Sequence, residues 1–201
     1  MKKVNIAFYR RNNVLEVARD LLGKLLVTRF DGVATSGRIV EVEAYNGVID
    51  RASHAWNGRR TSRNEPMYAA GGICYIYLCY GIHHLFNVVT NEKDIPQAVL
   101  IRALEPMEGI KEMERRSGKP KKEYSLTRGP GNLSRALGLT TMKTGTSLTG
   151  SEIFLGDDGY KVDKRQIVST PRIGVDYAGA DALLPYRFLL RDNPWVSGKR
   201  S

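Results

Sequence analysis

The chain of 201 residues has no long apolar run, only two cysteines and three histidines, and fewer acidic than basic side chains. Its longest apolar stretches resemble Ala98-Val99-Leu100-Ile101, far short of the roughly 20 residues a membrane helix needs. No apolar secretory core follows Met1-Lys2-Lys3-Val4-Asn5-Ile6, so no signal peptide and a cytoplasmic location are expected. Cys74 and Cys79 would face opposite sides of one strand and could not bridge. They also lack the spaced partners of a zinc site, so two buried free thiols are expected. His83 and His84 are adjacent, so at most one could join His54, and no metal site is expected. No Gly-x-Gly-x-x-Gly or Walker loop occurs, which argues against a nucleotide cofactor; none is expected. Neither repeats nor long linkers interrupt the chain, and its length suits one core, so residues 1–201 read as a single domain.

What is present is an ordinary apolar content of 42% and a strong basic excess, 31 Lys+Arg against 21 Asp+Glu, for a net charge of +10. The first excludes a disordered chain. The second points to an anionic partner, with nucleic acid foremost.

Asn13 is a helix N-cap with Glu16 three residues on. Val14, Val17, Ala18, Leu21 and Leu22 form one apolar face, and Gly23 stops the helix. Residues 24–30 read as a strand, Asp31-Gly32 as a hairpin turn, and the return strand runs to about Tyr45. Residues 46–70 read as a long polar surface loop. Residues 73–80 form an aromatic strand, Gly81 a tight turn and residues 82–90 the return. Residues 98–104 read as a short buried strand, with Glu105-Pro106 opening a helix to about Arg116. Residues 117–123 read as a loose lysine-rich segment, residues 132–137 as a short helix, and residues 152–155, 166–168 and 186–190 as strands. Hairpins dominate, which predicts an α+β fold around a mostly antiparallel sheet.

Between Ile39 and Thr90 the residues that carry chemistry are crowded together. Glu41, Glu43 and Tyr45 alternate with Val40, Val42 and Ala44, so they share one strand face. Such a strand is ordinarily half-solvated; the functional alternative is a carboxylate that deprotonates a water. Glu41 and Glu43 would stand ~7 Å apart along the strand, within the range of an inverting glycoside hydrolase. A carbohydrate hydrolase therefore stays open, as does a non-catalytic nucleic-acid binder. Tyr75 and Tyr77 share a face. Tyr80 stands at the hairpin tip, where it has little core to enter and is a candidate wedge into a base stack. Arg51, Arg59, Arg60 and Arg63 crowd the loop and are candidate phosphate contacts. Arg128-Gly129-Pro130-Gly131 opens a helix, whose free N–H groups suit an anion.

These segments together resemble the alkyladenine (3-methyladenine) DNA glycosylase family in its bacterial form. Glu41-Val42-Glu43-Ala44-Tyr45 is similar to the family's active-site strand. Asp50 to His54, Thr61-Ser62-Arg63-Asn64, Tyr75 to Gly81, Asn87-Val88-Val89, Val99 to Pro106, Gly129-Pro130-Gly131 and Asn193-Pro194-Trp195-Val196 follow in the family's order. The resemblance spans residues 8 to 197. Ser62 stands in place of proline and Tyr68 in place of phenylalanine.

The resemblance implies a curved sheet with surrounding helices and a protruding hairpin that enters the DNA minor groove. It implies a monomer that acts on double-stranded DNA containing damaged purines. Glu43 would activate the water that attacks C1′ of the deoxyribose. Tyr45 and His54 on one face and Tyr77 on the other would stack on the flipped base. Asn87 would crowd the purine C2 edge, Arg102 would support the pocket, and Tyr80 would fill the vacated place. Arg59, Arg63, Arg128 and Gly131 would meet phosphates. Glu41 would not be the base. No lysine lies in the motif strand, so neither a Schiff base nor a strand-cutting lyase step is expected.

Overall fold

A computed structural model of the protein describes residues 1–198. The expected single domain of residues 1–201 is thus followed to Gly198, and its last three positions lie outside the described residues. The strands are β1 (Lys2–Lys3), β2 (Leu25–Phe30), β3 (Val33–Tyr45), β4 (Cys74–Cys79), β5 (His83–Thr90), β6 (Gln97–Glu108), β7 (Ile153–Asp157), β8 (Ile167–Thr170) and β9 (Arg187–Leu190). They form one sheet in the order β1-β7-β2-β3-β6-β5-β4, and β9, with β8 beside it, pairs with β3. Every strand pair among the described residues is antiparallel. The helices are α1 (Ile6–Tyr9), α2 (Val14–Leu21), α3 (Ile110–Ser117) and α4 (Pro130–Leu137). The fold is α+β, as the hairpin-rich order predicts.

The period of two sorts the sheet into two faces. Val42, Ile76, Phe86, Val88, Val99 and Ile101 are buried with Val14, Val17, Ala18 and Leu21 of α2 and Leu133, Ala136 and Leu137 of α4. The Asn13 side chain accepts from the N–H groups of Leu15 and Glu16 and so starts α2 as expected. The alternate residues point to the other face. There Tyr75, Val89 and Ala98 pack with Ala55, Met67 and Tyr68. The register lines up Glu43, Leu100, Asn87 and Tyr75 in one row across four strands.

Three expectations need correction. No helix opens at Glu105-Pro106; β6 runs on to Glu108 and α3 starts at Ile110. Proline is tolerated there because Pro106 lies opposite Gly37 beside a register shift, where a ladder N–H can be dispensed with. Gly109, at φ 72°, then turns the chain into α3. Residues 46–70 are not a surface loop throughout. Short 3₁₀ turns bury Asp50, Ala52, Ser53, Ala55, Asn64, Met67 and Tyr68 against the sheet. Helix α4 begins two residues earlier than expected, with Pro130 in its first turn, where a missing N–H costs nothing. Of the two free thiols, Cys74 is buried and Cys79 is half-exposed. No helix of the described residues is long and apolar enough to cross a membrane.

Candidate active site

Strand β3 carries the centre of the site. Two compensating irregularities interrupt its pairing with β6: Val40 is the extra residue on β3, and Arg102 the extra residue on β6. Bulges re-aim side chains, and here the guanidinium of Arg102 reaches both acidic residues. Its Nε donates to Glu41 Oε1 at 2.9 Å, and its Nη1 lies 3.1 Å from Glu43 Oε1.

The two carboxylates are both fully buried but differ in what they have left to give. Glu41 accepts four hydrogen bonds, from Arg102 Nε, Arg187 Nε, the Ser197 hydroxyl and the Ser197 N–H. It ties β6, β9 and the C-terminal segment together, and unlike Glu43 it does not line the cleft described below. That disfavours the two-carboxylate sugar hydrolase. Glu43 Oε1 accepts the Ile173 N–H at 2.8 Å and is ion-paired with Arg102 at 3.1 Å. Glu43 Oε2 takes only the Tyr45 hydroxyl, at 3.0 Å, so one lone pair of that oxygen is open. Burial, and then the Glu43 charge, push the Tyr45 phenol well above its ordinary range, so it stays protonated and donates.

The open side of Glu43 faces a cleft of about 810 Å³, lined among others by Tyr45, His54, Arg63, Tyr77, Tyr80 and Tyr177. Behind it lies a smaller recess of about 30 Å³, walled by Tyr45, His54, Tyr75, Tyr77 and Asn87. A cleft of about 1000 Å³ between the N-terminal segment, α2 and residues 157–169 is larger. Its lysines include Lys24, already paired with Asp157 at 2.6 Å, and it joins no aromatic pair to a buried carboxylate, so size does not make it the site.

His54 and Tyr77 stand edge to face with ring centres 4.6 Å apart. His54 Nδ1 lies 3.0 Å from the Tyr75 hydroxyl. Burial, with the charges of Arg63 and Arg59 adding to it, lowers the His54 imidazole to about 4, so it is neutral at physiological pH. Burial also raises the Tyr75 phenol to about 12. Asn87 donates from Nδ2 to the carbonyls of Tyr75 and Leu85, at 3.0 and 3.2 Å, which fixes its amide in the wall.

Tyr80 is 89% exposed at the hairpin tip. It has φ 50° and Gly81 φ 72°, and the Ile82 N–H donates to the Cys79 carbonyl, as in a type I′ turn. Such a backbone favours asparagine or glycine; a tyrosine there is costly. Among the loop arginines, Arg60 is paired with Glu65 and Asp94. Arg63 Nη2 donates to the Leu78 carbonyl, and its guanidinium lies 5.5 Å from the Tyr77 ring centre. Arg59 is exposed and lines the cleft. Arg128 donates to the Pro194 carbonyl and stacks on Tyr124. Gly131 packs so closely on His83 that a Cβ there would come within 2.7 Å of the ring. The structure thus gathers Glu43, Tyr45, His54, Tyr77 and Arg102 around one cleft with Tyr80 at its rim, and Arg128 is not among the residues that line it.

Sequence reasoning missed Asp50 as a polar anchor, and also Arg172, Ile173 and Tyr177. These last three lie in the segment after β8 and close the site from above β3. The Ile173 N–H reaches Glu43 from 130 positions away, and no local pattern announces it.

The methylpurine-DNA glycosylase model matches residues 7–194. A protein of Chlamydia felis named "Putative 3-methyladenine DNA glycosylase" is 49% identical over 185 residues, covering 92% of this chain and 94% of its own. Relatives of the same name from Bacillus cytotoxicus and Desulfitobacterium hafniense are 48% and 43% identical, covering 94% and 99% of this chain and 97% and 100% of theirs. The chain belongs to the methylpurine-DNA glycosylase family. It is a DNA glycosylase, a hydrolase of base excision repair.

Proposed function

We propose that the protein flips alkylated or deaminated purines, of the 3-methyladenine, 7-methylguanine, hypoxanthine and ethenoadenine type, out of duplex DNA and hydrolyses their N-glycosidic bond. It leaves an abasic site and does not cut the strand. The observation that carries this is the unequal use of the two Glu43 oxygens. Oε1 is held by the Ile173 N–H and the Arg102 charge, while Oε2 keeps a lone pair beside the Tyr45 hydroxyl. A water bound there loses its proton to Glu43 as it attacks C1′.

Placement supports the remaining roles. A base must leave the stack before its glycosidic bond is reached, at a cost of a few kcal/mol that is least for damaged bases. Tyr80, exposed at the hairpin tip, takes the vacated place in the minor groove. The base enters between Tyr45 with His54 and Tyr77, where electron-rich faces favour a cationic methylpurine. Such a base is already a good leaving group. Asn87, with its amide fixed, crowds the purine C2 edge and disfavours the 2-amino group of guanine. Arg59, Arg63, Arg128 and the Gly131 N–H meet phosphates, and the protein acts as a monomer.

The test is a duplex with one 3-methyladenine or hypoxanthine, incubated with the protein and then treated with alkali. Scission that requires the protein and vanishes in Glu43→Gln is expected. Equal scission with wild type and Glu43→Gln would sink the base assignment. Retained DNA binding with no base release would leave only a nucleic-acid binder.

A further inference from the structure

A buried ion pair that plays no part in the reaction above links the two segments enclosing the cleft. Asp50 and Arg172 have side chains 1% and 0% exposed. Arg172 Nη1 donates to Asp50 Oδ2 at 2.6 Å and Nη2 to Oδ1 at 2.8 Å, a two-pronged pairing that only a planar guanidinium makes. Nη1 also donates to the carbonyl of Ala44, the residue after Glu43, at 2.9 Å. The same guanidinium lies 4.9 Å from the Tyr45 ring centre. Asp50 in turn accepts from the N–H groups of Asn46 and Ala52, which fixes the start of the segment that bears His54.

The next residue after Arg172 is Ile173, whose N–H holds Glu43 Oε1. Otherwise the segment from Pro171 to Leu183 is held to the His54 segment by few contacts. The Arg51 N–H donates to Asp181, the Tyr177 hydroxyl donates to the Ala52 carbonyl, and Ala52, Val175 and Ala178 form a small apolar cluster. Of these, the ion pair alone acts directly on the backbone flanking Glu43.

We propose that Asp50 and Arg172 are positioning residues for the base: they hold the Ile173 N–H on Glu43 Oε1 and the Tyr45 ring beside it, so that Oε2 is the oxygen presented to the water. This rests on Glu43 being the base. A misplacement of about 1 Å at a reacting group costs up to roughly a hundredfold in rate. Removal of the pair therefore lowers the chemical step and leaves capture of DNA alone, since neither side chain is exposed to it.

The experiment compares wild type, Asp50→Asn, Arg172→Lys, Glu43→Gln and Arg38→Lys. The last weakens the Arg38–Asp158 pair, neither member of which lines the cleft, and controls for lost stability. Single-turnover base release is measured as a function of protein concentration, below each variant's thermal midpoint. The expected result for Asp50→Asn and Arg172→Lys is a maximal rate lower by roughly 10- to 100-fold, a half-saturating concentration near that of wild type, and a normal rate for Arg38→Lys. Rates near wild type in both variants while Glu43→Gln is inactive would overturn this proposal alone. A weakened half-saturation with an unchanged maximal rate would show that the pair only shapes the DNA surface and would also overturn it. So would failure of both variants to fold while Arg38→Lys folds, because the pair would then be purely structural. Full activity of Glu43→Gln would remove the base assignment and this proposal with it.

Discussion

Arg102 Nη1 lies 3.1 Å from Glu43 Oε1, and the same guanidinium donates from Nε to Glu41 at 2.9 Å. One cation thus serves two buried carboxylates with opposite duties. Glu41 is bonded to Arg102, Arg187 and Ser197 away from the cleft, while Glu43 lines it.

That division predicts contrasting variants. Glu41→Gln leaves Arg102 and Arg187 without their shared charge, and breaking a buried pair in this way costs about 3–5 kcal/mol. Glu43→Gln keeps the side-chain shape and leaves Arg102 its bond to Glu41, so its stability is expected to fall by less than that of Glu41→Gln. Denaturant unfolding of the two variants checks the first half. Single-turnover base release checks the second, with Glu43→Gln reduced by at least about a thousandfold. A Glu43→Gln protein as unstable as Glu41→Gln would show that both carboxylates are structural.

Tyr80 is expected to trade stability for function. Its positive φ costs about 1–2 kcal/mol in a bulky residue. Tyr80→Asn suits the turn before Gly81 and is expected to raise stability by up to about 1 kcal/mol. The same change removes the proposed wedge. Base release from duplex DNA is expected to fall by about one to three orders of magnitude, the rate equivalent of the cost of flipping. Release from a single-stranded substrate is expected to fall much less. Equal losses in both contexts would discard the wedge.

His54 supplies the pH dependence. Burial sets its imidazole near 4 in the folded protein, against about 6.5 in the unfolded chain. The unfolded state therefore binds a proton below pH 6.5 that the folded state refuses until about pH 4. The stability from a neutral His54 is full above about pH 6.5 and is lost as the pH falls towards 4. His54→Gln is expected to flatten that slope between pH 6.5 and 5. An NMR titration that places the His54 midpoint above 6 would refute the assignment.

Binding to duplex DNA is expected to weaken steeply with salt. The net charge of +10 and the exposed Arg59 and half-engaged Arg63 beside the cleft motivate this. A slope of log K against log salt of about −3 to −6 corresponds to several neutralised phosphates. Arg60, already paired with Glu65 and Asp94, is expected to contribute least, so Arg60→Ala should leave the slope unchanged. A flat salt response would place the basic charge in another role.

Several features were decided by the sequence alone because the forces behind them are local. The alternation through Glu41, Glu43 and Tyr45 put three polar groups on one strand face, and the Tyr45–Glu43 contact at 3.0 Å follows from that period. The Asn13 cap, the Asp31-Gly32 turn and the exposed tip at Tyr80-Gly81 were legible for the same reason. Pro106 misled, since a proline read as a helix start sits instead beside a bulge that only pairing with Gly37 creates. Which carboxylate lines the cleft was decided by tertiary structure: Ser197 and Arg187 reach Glu41 from 156 and 146 positions away, and Ile173 and Arg102 reach Glu43 from the segment after β8 and from β6. No periodicity encodes such distant donors. Burial then makes them decisive, because a carboxylate taken out of water must find its hydrogen bonds within the protein, and the position of those partners determines which way it faces.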